Sequence, residues 1–117
     1  MTALTARELY SWLDDSNFRI TTDYAFELIN VDDGNFYKVL IAGADYPSVV
    51  LESTPDLTGT RLDFASNDFP SGGFDNYRVN DIGYFQLKNM ETGLWHSICI
   101  GGTSESPAIM VESIGQT

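Results

Sequence analysis

The chain has 117 residues, with 17 acidic side chains, six lysines and arginines, and a formal net charge of −11. One domain, or two small halves packed closely, fits this length. The negative charge repels phosphate backbones, and no apolar run approaches the ~20 residues of a membrane helix. We therefore expect neither nucleic acid nor a membrane as a partner, and no signal peptide is apparent.

The first predicted element is a short helix within an N-terminal segment of residues 1–17. Thr5 and Glu8 form a T-x-x-E capping box. The apolar face that follows consists of Ala6, Leu9, Tyr10 and Leu13. We predict an amphipathic helix from about Ala6 to Asp15. Trp12 lies off the apolar line, where it could reach another chain.

Residues 18–53 are repeated near the end of the chain. Phe18–Ser53 aligns with Tyr77–Ser113 if one extra residue is allowed before the second proline. Ten of 36 aligned pairs are identical, where chance gives roughly two or three. The identical pairs are Arg19/Arg78, Phe26/Phe85, Leu28/Leu87, Asn30/Asn89, Gly34/Gly93, Ile41/Ile100, Gly43/Gly102, Pro47/Pro107, Glu52/Glu112 and Ser53/Ser113. We interpret residues 18–53 and 77–117 as two copies of one unit, repeat 1 and repeat 2.

Each repeat has the periodicity of β-strands. In "FELIN" and "FQLKN" apolar and polar residues alternate with period two. A Gly-containing loop follows, then an apolar run rich in β-branched and aromatic residues, and a last strand after the proline. With a short opening strand, each repeat is a meander of about four strands. A lone meander buries little, so we predict a mainly β fold: two tandem antiparallel meanders packed as a pseudo-twofold sandwich or flattened barrel, with one short N-terminal helix.

The loops "NVDDGN" and "NMETGL" are predicted to be equivalent hairpin turns. Asn30 with Gly34, and Asn89 with Gly93, are the shared residues, and each Gly is expected to have a positive φ. The acids that begin at Asp32 raise the possibility of calcium. Repeat 2 keeps only the Gly, and the EF-hand spacing is missing. We therefore expect turn geometry, and neither a metal nor another cofactor.

Residues 54–76 connect the repeats and have the Pro, Gly, Ser and Asp content of a loop. They also include three phenylalanines, which a flexible linker rarely carries: Phe64, Phe69 and Phe74. We expect these three residues to contact other chains, together with Leu9, Trp12 and Leu13. The alternative is that the helix and connector only cover the open ends of the sandwich within one chain.

No set of residues predicts catalysis. His96, the single histidine, aligns with Tyr37, which favours a structural ring at the edge of the core. Cys99, the single cysteine, aligns with a leucine, so we interpret it as a small apolar strand residue and expect no disulfide within the chain. Glu52 and Glu112 are interpreted as solvated acids at strand ends. No phosphate loop, G-x-S-x-G or H-E-x-x-H motif is present, and we expect no enzyme activity.

Two aromatic residues, Phe36 and Trp95, follow the turn glycines at equivalent positions. We favour a role in holding the hairpin to the sheet, since large aromatic side chains stabilise sheets through cross-strand contacts. An exposed pair for binding sugar or protein is the alternative.

Residues 84–102, "YFQLKNMETGLWHSICIGG", resemble short hairpin units of virion proteins from bacteriophages and prophages, especially tail and fibre components. The resemblance is carried by Phe85, Leu87, Asn89, Thr92, Gly93, Trp95, His96, Ile100 and Gly102. Repeat 1 matches more weakly, because Tyr37 replaces His96 and Asp33 replaces Thr92. The resemblance implies a structural or attachment role and supplies no catalytic residues.

These observations lead us to expect a non-enzymatic structural or assembly protein, a bacteriophage virion component made in the host cytoplasm. It would act through contacts with other virion proteins or with copies of itself, in a homo- or hetero-oligomer. The alternative is a small carbohydrate-binding accessory module, which would be a monomer with exposed aromatic residues lining a groove.

Overall fold

The computed structural model describes residues 3–13, 17–21, 24–53, 72–73 and 75–117. In these residues the chain forms one helix and two antiparallel sheets. The strand order is β1-β2-β3-β4 in sheet 1 and β5-β6-β7-β8-β9 in sheet 2, so strands that follow one another in sequence are neighbours. The prediction of a mainly β fold, with two tandem meanders in a two-sheet sandwich and one short N-terminal helix, is confirmed.

The helix and strands have the following bounds. Helix α1 spans Ala6–Trp12. Sheet 1 consists of β1 (Phe18–Ile20), β2 (Phe26–Ile29), β3 (Phe36–Ala42) and β4 (Ser48–Leu51). Sheet 2 consists of β5 (Gly72–Gly73), β6 (Tyr77–Val79), β7 (Phe85–Lys88), β8 (Trp95–Gly102) and β9 (Pro107–Val111). Sheet 2 therefore begins within the segment that the sequence analysis assigned to the connector.

Helix α1 begins as predicted and ends earlier than predicted. The Thr5 side chain accepts a hydrogen bond from the Glu8 N–H at 3.1 Å, which caps the helix. Leu13 has an extended backbone, and its N–H donates to the Leu9 carbonyl at 2.9 Å. The turn that would have continued to Asp15 is replaced by this extended residue, whose side chain enters the core. No helix in the described part of the chain is long and apolar enough to cross a membrane.

Equivalent residues of the two repeats pair in the same register. Phe18 pairs with Leu28 in sheet 1, and Tyr77 pairs with Leu87 in sheet 2. Both members of the second pair follow their counterparts by 59 positions, since 77 − 18 = 59 and 87 − 28 = 59. The β2–β3 and β7–β8 pairings are related by the same offset. The duplication in sequence is therefore a duplication of backbone structure.

The core lies between the two sheets, and aromatic rings form its centre. The Phe26 and Phe85 rings, which are equivalent residues, meet edge-on with their centroids 5.1 Å apart. Tyr77 stacks on Phe85 at 5.5 Å. Other buried residues of this cluster are Leu4, Leu9, Leu13, Phe18, Ile20, Val39, Ile41, Leu87 and Ile98. Each large apolar side chain buried here contributes about 1.5–3 kcal/mol to stability.

The two repeats are joined by hydrogen bonds at one corner, which we call the repeat junction (Ile41, Gly43, Asn89 and Met90). The Met90 N–H donates to the Ile41 carbonyl at 2.7 Å, and the Asn89 side chain donates to the Gly43 carbonyl at 3.0 Å. By the 59-residue offset, the opposite corner would join Val31 to Ile100. The described residues contain no such bond there. Among the described residues, the backbone bond from Met90 to Ile41 therefore closes one corner of the sandwich and has no counterpart at the other.

Candidate functional site

The two predicted turns have the same geometry. Gly34 has a φ of 75° and Gly93 a φ of 76°. Their N–H groups donate to the carbonyls of Asn30 and Asn89 at 2.7 and 2.9 Å. Each Asn side-chain oxygen also accepts the N–H two residues later, at 2.9 and 2.8 Å. The Asn closes the turn and the Gly supplies its left-handed residue, so these four residues share a role in turn geometry, and Asn89 has the junction contact in addition.

His96 is a buried structural residue. Its Nδ1 lies 2.9 Å from the Glu112 carbonyl oxygen, which only accepts, so Nδ1 carries the proton. Its Nε2 faces the Asn89 amide nitrogen at 3.4 Å, and because an amide nitrogen only donates, Nε2 accepts in this contact. The ring thus connects the end of β9 to the repeat junction. Tyr37, the equivalent residue, instead donates to the exposed Asp33 carboxylate at 2.5 Å.

In the first turn, the Asp33 carboxylate accepts hydrogen bonds from the Asn35 N–H and from the hydroxyl of the neighbouring Tyr37 ring. The hydrogen bond from Tyr37, and then that from the Asn35 N–H, hold the pKa of Asp33 below its usual value. The same contact raises the pKa of Tyr37. In the described part of the chain, no three His, Cys, Asp or Glu side chains are grouped so that they could hold a metal ion.

Cys99 lies in β8 and is almost fully buried. Burial, and then the charge of Glu112, raise the pKa of the thiol. Its Sγ donates to the Met110 carbonyl at 3.6 Å. A buried thiol with a raised pKa is a poor nucleophile, so its environment suits packing and not reaction.

The residues predicted to contact partners divide into three groups. Leu9 and Leu13 are 0% and 7% exposed and belong to the core cluster, so they are core residues and not contact residues. Leu9 of the helix and Leu13 at its end therefore pack against the helix's own chain, with Ala6 beside them. Trp12 is half-buried and lines a shallow groove with Ile100 and Pro107, so part of its ring reaches the surface. The remaining predicted contacts, Phe64, Phe69 and Phe74, lie outside the described residues.

The paired aromatics Phe36 and Trp95 lie half-buried beneath equivalent arginines. The Arg19 guanidinium is 4.3 Å from the Phe36 ring centre, and the Arg78 guanidinium is 5.0 Å from the Trp95 ring centre. Trp95 and Arg78 also line a groove with Asn80, Asp81, Ile82 and Gln116. Because Arg78 covers one face of the indole, that face is not open for stacking on a sugar ring.

Two exposed apolar side chains on the loops that meet at the repeat junction were not predicted from the sequence; we call Tyr46, Met90 and the acids beside them the junction surface. Tyr46 is 88% exposed and Met90 is 61% exposed. Tyr46 lies in the loop after Gly43, and Met90 begins the turn that bonds to Ile41 and Gly43. Acidic residues flank both, since Asp45 and Glu91 are also exposed. No periodicity in the sequence could have identified this surface, because it arises where loops of different repeats meet.

Asn76, the last residue of the predicted connector, has a structural role that was not predicted from the sequence. Its side chain is fully buried and lies between β2 and β3 of repeat 1. Its Oδ1 accepts the Phe26 N–H at 2.9 Å, while its Nδ2 donates to the Phe26 and Val39 carbonyls at 2.9 and 2.7 Å. A signal was present, because Asn17 precedes repeat 1 as Asn76 precedes repeat 2.

Comparison with known proteins adds no assignment: no family model, curated protein or solved structure matches the chain.

Proposed function

We propose that this chain is a non-enzymatic structural or assembly protein of a bacteriophage particle, acting through contacts with copies of itself or with other virion proteins. The observation that carries the proposal is the exposure of Tyr46 and Met90, which lie on the two loops that the repeat junction joins. The resemblance of residues 84–102 to virion hairpin units supports the same role and suggests the virion as its location.

The junction surface has the composition of a contact site. Tyr and Met are enriched in protein interfaces, where an apolar centre is surrounded by a polar rim. Here the rim is acidic, through Asp45 and Glu91. Association would cover the two exposed apolar side chains. A partner with an apolar pocket and basic residues around it would complement this surface.

Hydrogen bonds of the repeat junction also hold the backbone near Tyr46 and Met90 in place, which favours binding through this surface. Rigid surfaces lose less conformational entropy on binding than mobile ones. Tyr46 follows a Gly43 whose carbonyl is bound by Asn89, and the Met90 backbone is bound to Ile41. Val31, the residue equivalent to Met90, is 86% exposed and has no such bond to the other repeat. Val31 is therefore a matched control: it is an exposed apolar residue at the equivalent position, but within the described part of the chain it is not bonded to the other repeat.

A carbohydrate-binding role, the alternative, would use the groove beside Trp95. Sugar rings stack on open aromatic faces, and Arg78 occupies one face of this indole. Asp81 and Gln116 in the same groove offer polar groups for sugar hydroxyls. The groove therefore supports this alternative less well than the junction supports assembly.

Light scattering coupled to size exclusion tests the proposal. The parent chain is expected to self-associate, and the Tyr46→Ser/Met90→Ser variant is expected to elute as a monomer of 13.0 kDa. The Val31→Ser variant should behave as the parent does. A parent chain that remains monomeric up to about 1 mM would contradict self-association through this surface, the form of assembly that this experiment tests, and would favour the carbohydrate alternative over it.

A further inference from the structure

The two repeats have equivalent gaps between their central strands, and the gaps are filled differently. In repeat 1 the gap lies between Phe26 and Val39, one residue beyond the last β2–β3 pair, and the Asn76 side chain bridges it. In repeat 2 the equivalent gap lies between Phe85 and Ile98, one residue beyond the last β7–β8 pair. We call this second gap the strand slot.

The strand slot is occupied by backbone and not by a side chain. The Leu4 N–H donates to the Ile98 carbonyl at 2.9 Å, and the Leu4 carbonyl accepts the Phe85 N–H at 3.0 Å. Ala3 and Thr5 form β-bridges to the residues on either side, Cys99 and Tyr84. Residues 3–5 therefore lie between β7 and β8 as a short inserted strand.

Asn17 is the residue that pseudo-symmetry would place in the strand slot. It precedes Asn76 by 59 positions, since 76 − 17 = 59. Its carbonyl accepts the Ile29 N–H at 2.9 Å, just as the Asn76 carbonyl accepts the Lys88 N–H at 3.1 Å. The backbones of the two asparagines are thus equivalent, but their side chains are not. The Asn17 Oδ1 is buried and has no hydrogen-bond partner among the described residues.

Leu4 makes with its backbone two of the three contacts that Asn76 makes with its amide. In repeat 1 the Phe26 N–H is bound by Oδ1 and the Val39 carbonyl by Nδ2. In repeat 2 the corresponding groups of Phe85 and Ile98 are bound by Leu4. Leu4 therefore binds the backbone groups that the Asn17 side chain would otherwise bind. This explains why the buried Oδ1 of Asn17 has no hydrogen-bond partner among the described residues, which is a costly arrangement in a protein interior.

We propose that the strand slot is a peptide-binding site, that residues 3–5 are its exchangeable occupant, and that Asn17 closes the slot when the occupant leaves. The ligand is an extended peptide that adds between β7 and β8 through backbone hydrogen bonds. The same segment of a second copy of this chain is the occupant that fits, because the buried Leu4 side chain already has its place in the core. The slot and the repeat junction involve different residues, so the two proposals can fail separately.

The test uses the full chain with its own segment weakened, and a labelled synthetic peptide of residues 1–13 as the probe. Leu4→Pro removes the N–H that the Ile98 carbonyl accepts and so displaces the segment. This variant is expected to stay folded, because Asn17 closes the slot. The parent should bind the peptide most weakly, because its own residues 3–5 compete for the slot. Leu4→Pro should bind it more tightly, and Leu4→Pro/Asn17→Ala about tenfold more tightly again, since Asn17 no longer competes.

Each outcome decides one element of the proposal. A peptide that carries Leu4→Pro should bind to neither variant. Unfolding of Leu4→Pro, or equal peptide affinity of the two variants, would show that Asn17 does not close the slot. Failure of both folded variants to bind the peptide would overturn the slot as a strand-binding site. Amide exchange at Phe26 in repeat 1 reports that the fold is retained.

Discussion

Arg19 donates from Nε to the Glu27 carboxylate at 2.5 Å, with the two side chains 10% and 3% exposed. In repeat 2 the equivalent bond runs from Arg78 to Gln86 at 2.6 Å. The two repeats therefore share a requirement for a hydrogen-bond acceptor at this position. The carboxylate in repeat 1 also neutralises an arginine that is more deeply buried than Arg78.

Removing the Glu27 acceptor should destabilise the chain strongly. Glu27→Leu leaves the Arg19 charge buried without its carboxylate, and we expect a loss of about 3 kcal/mol in the free energy of unfolding. Glu27→Gln copies the repeat 2 arrangement and should cost less, about 1–2 kcal/mol. Urea unfolding followed by circular dichroism measures both.

The control for this prediction is an exposed ion pair. Lys38 and Asp75 are 2.6 Å apart, with side chains 25% and 55% exposed, so Asp75→Asn should cost under about 1 kcal/mol. A Glu27→Leu variant no less stable than Asp75→Asn would show that burial does not strengthen the Arg19 contact.

Tyr77 should make the fold sensitive to alkali. Burial, and then the charge of Tyr24, raise the pKa of its hydroxyl well above the usual tyrosine value near 10. Because the folded-state pKa exceeds the unfolded one, the stabilising contribution is complete below about pH 10 and is lost as the pH rises further. Tyr77→Phe should therefore lose less stability between pH 9 and about 11.5 than the parent does. The equivalent residue in repeat 1 is Phe18, so phenylalanine suits this position.

The urea midpoint at the two pH values measures this difference. Tyr46→Phe, a change to an 88% exposed ring, is the control and should keep the parental loss. An equal loss in Tyr77→Phe and the parent would assign the alkaline sensitivity to other groups.

The strands and turns could be predicted from the sequence, because each leaves a periodic or repeated pattern of residue types. Alternating residues such as Phe26 and Leu28 identified the strands, and the repeated Asn and Gly identified the turns. The strand slot could not be predicted, because Leu4 fills it with backbone atoms that carry no side-chain signal. The exposed Tyr46 and Met90 were missed for a similar reason: the loop after Gly43 and the turn after Asn89 are joined only by tertiary hydrogen bonds.

Asn89 should matter more than its equivalent, Asn30. Both cap their turns, but only Asn89 also donates across the repeat junction to Gly43 and faces the buried His96 ring. We expect Asn89→Ala to cost about 2–3 kcal/mol and Asn30→Ala about 1 kcal/mol. Thermal and urea unfolding of the two variants provide the comparison, and equal costs would mean that the junction bond adds nothing to stability.

The turn glycines should respond alike to substitution. Gly34 and Gly93 have φ values of 75° and 76°, and nothing lies within 4 Å of a Cβ added to either. The cost of Gly34→Val or Gly93→Val therefore comes from backbone strain, and we expect roughly 1–3 kcal/mol for each. Denaturant unfolding should give two similar values, whereas a neutral effect at one position would show that the turns differ in solution.

The most direct test of the duplicated fold is amide hydrogen exchange at Phe26 and Phe85 in an Asn76→Ala variant. In the parent, the Phe26 N–H is bound by the Asn76 side chain and the Phe85 N–H by the Leu4 backbone. Because global unfolding exposes both amides together, the ratio of the two rates isolates the local contact. We predict that Phe26 exchanges about tenfold faster relative to Phe85 than it does in the parent. An unchanged ratio would contradict the conclusion that equivalent gaps in the two repeats are closed by different groups.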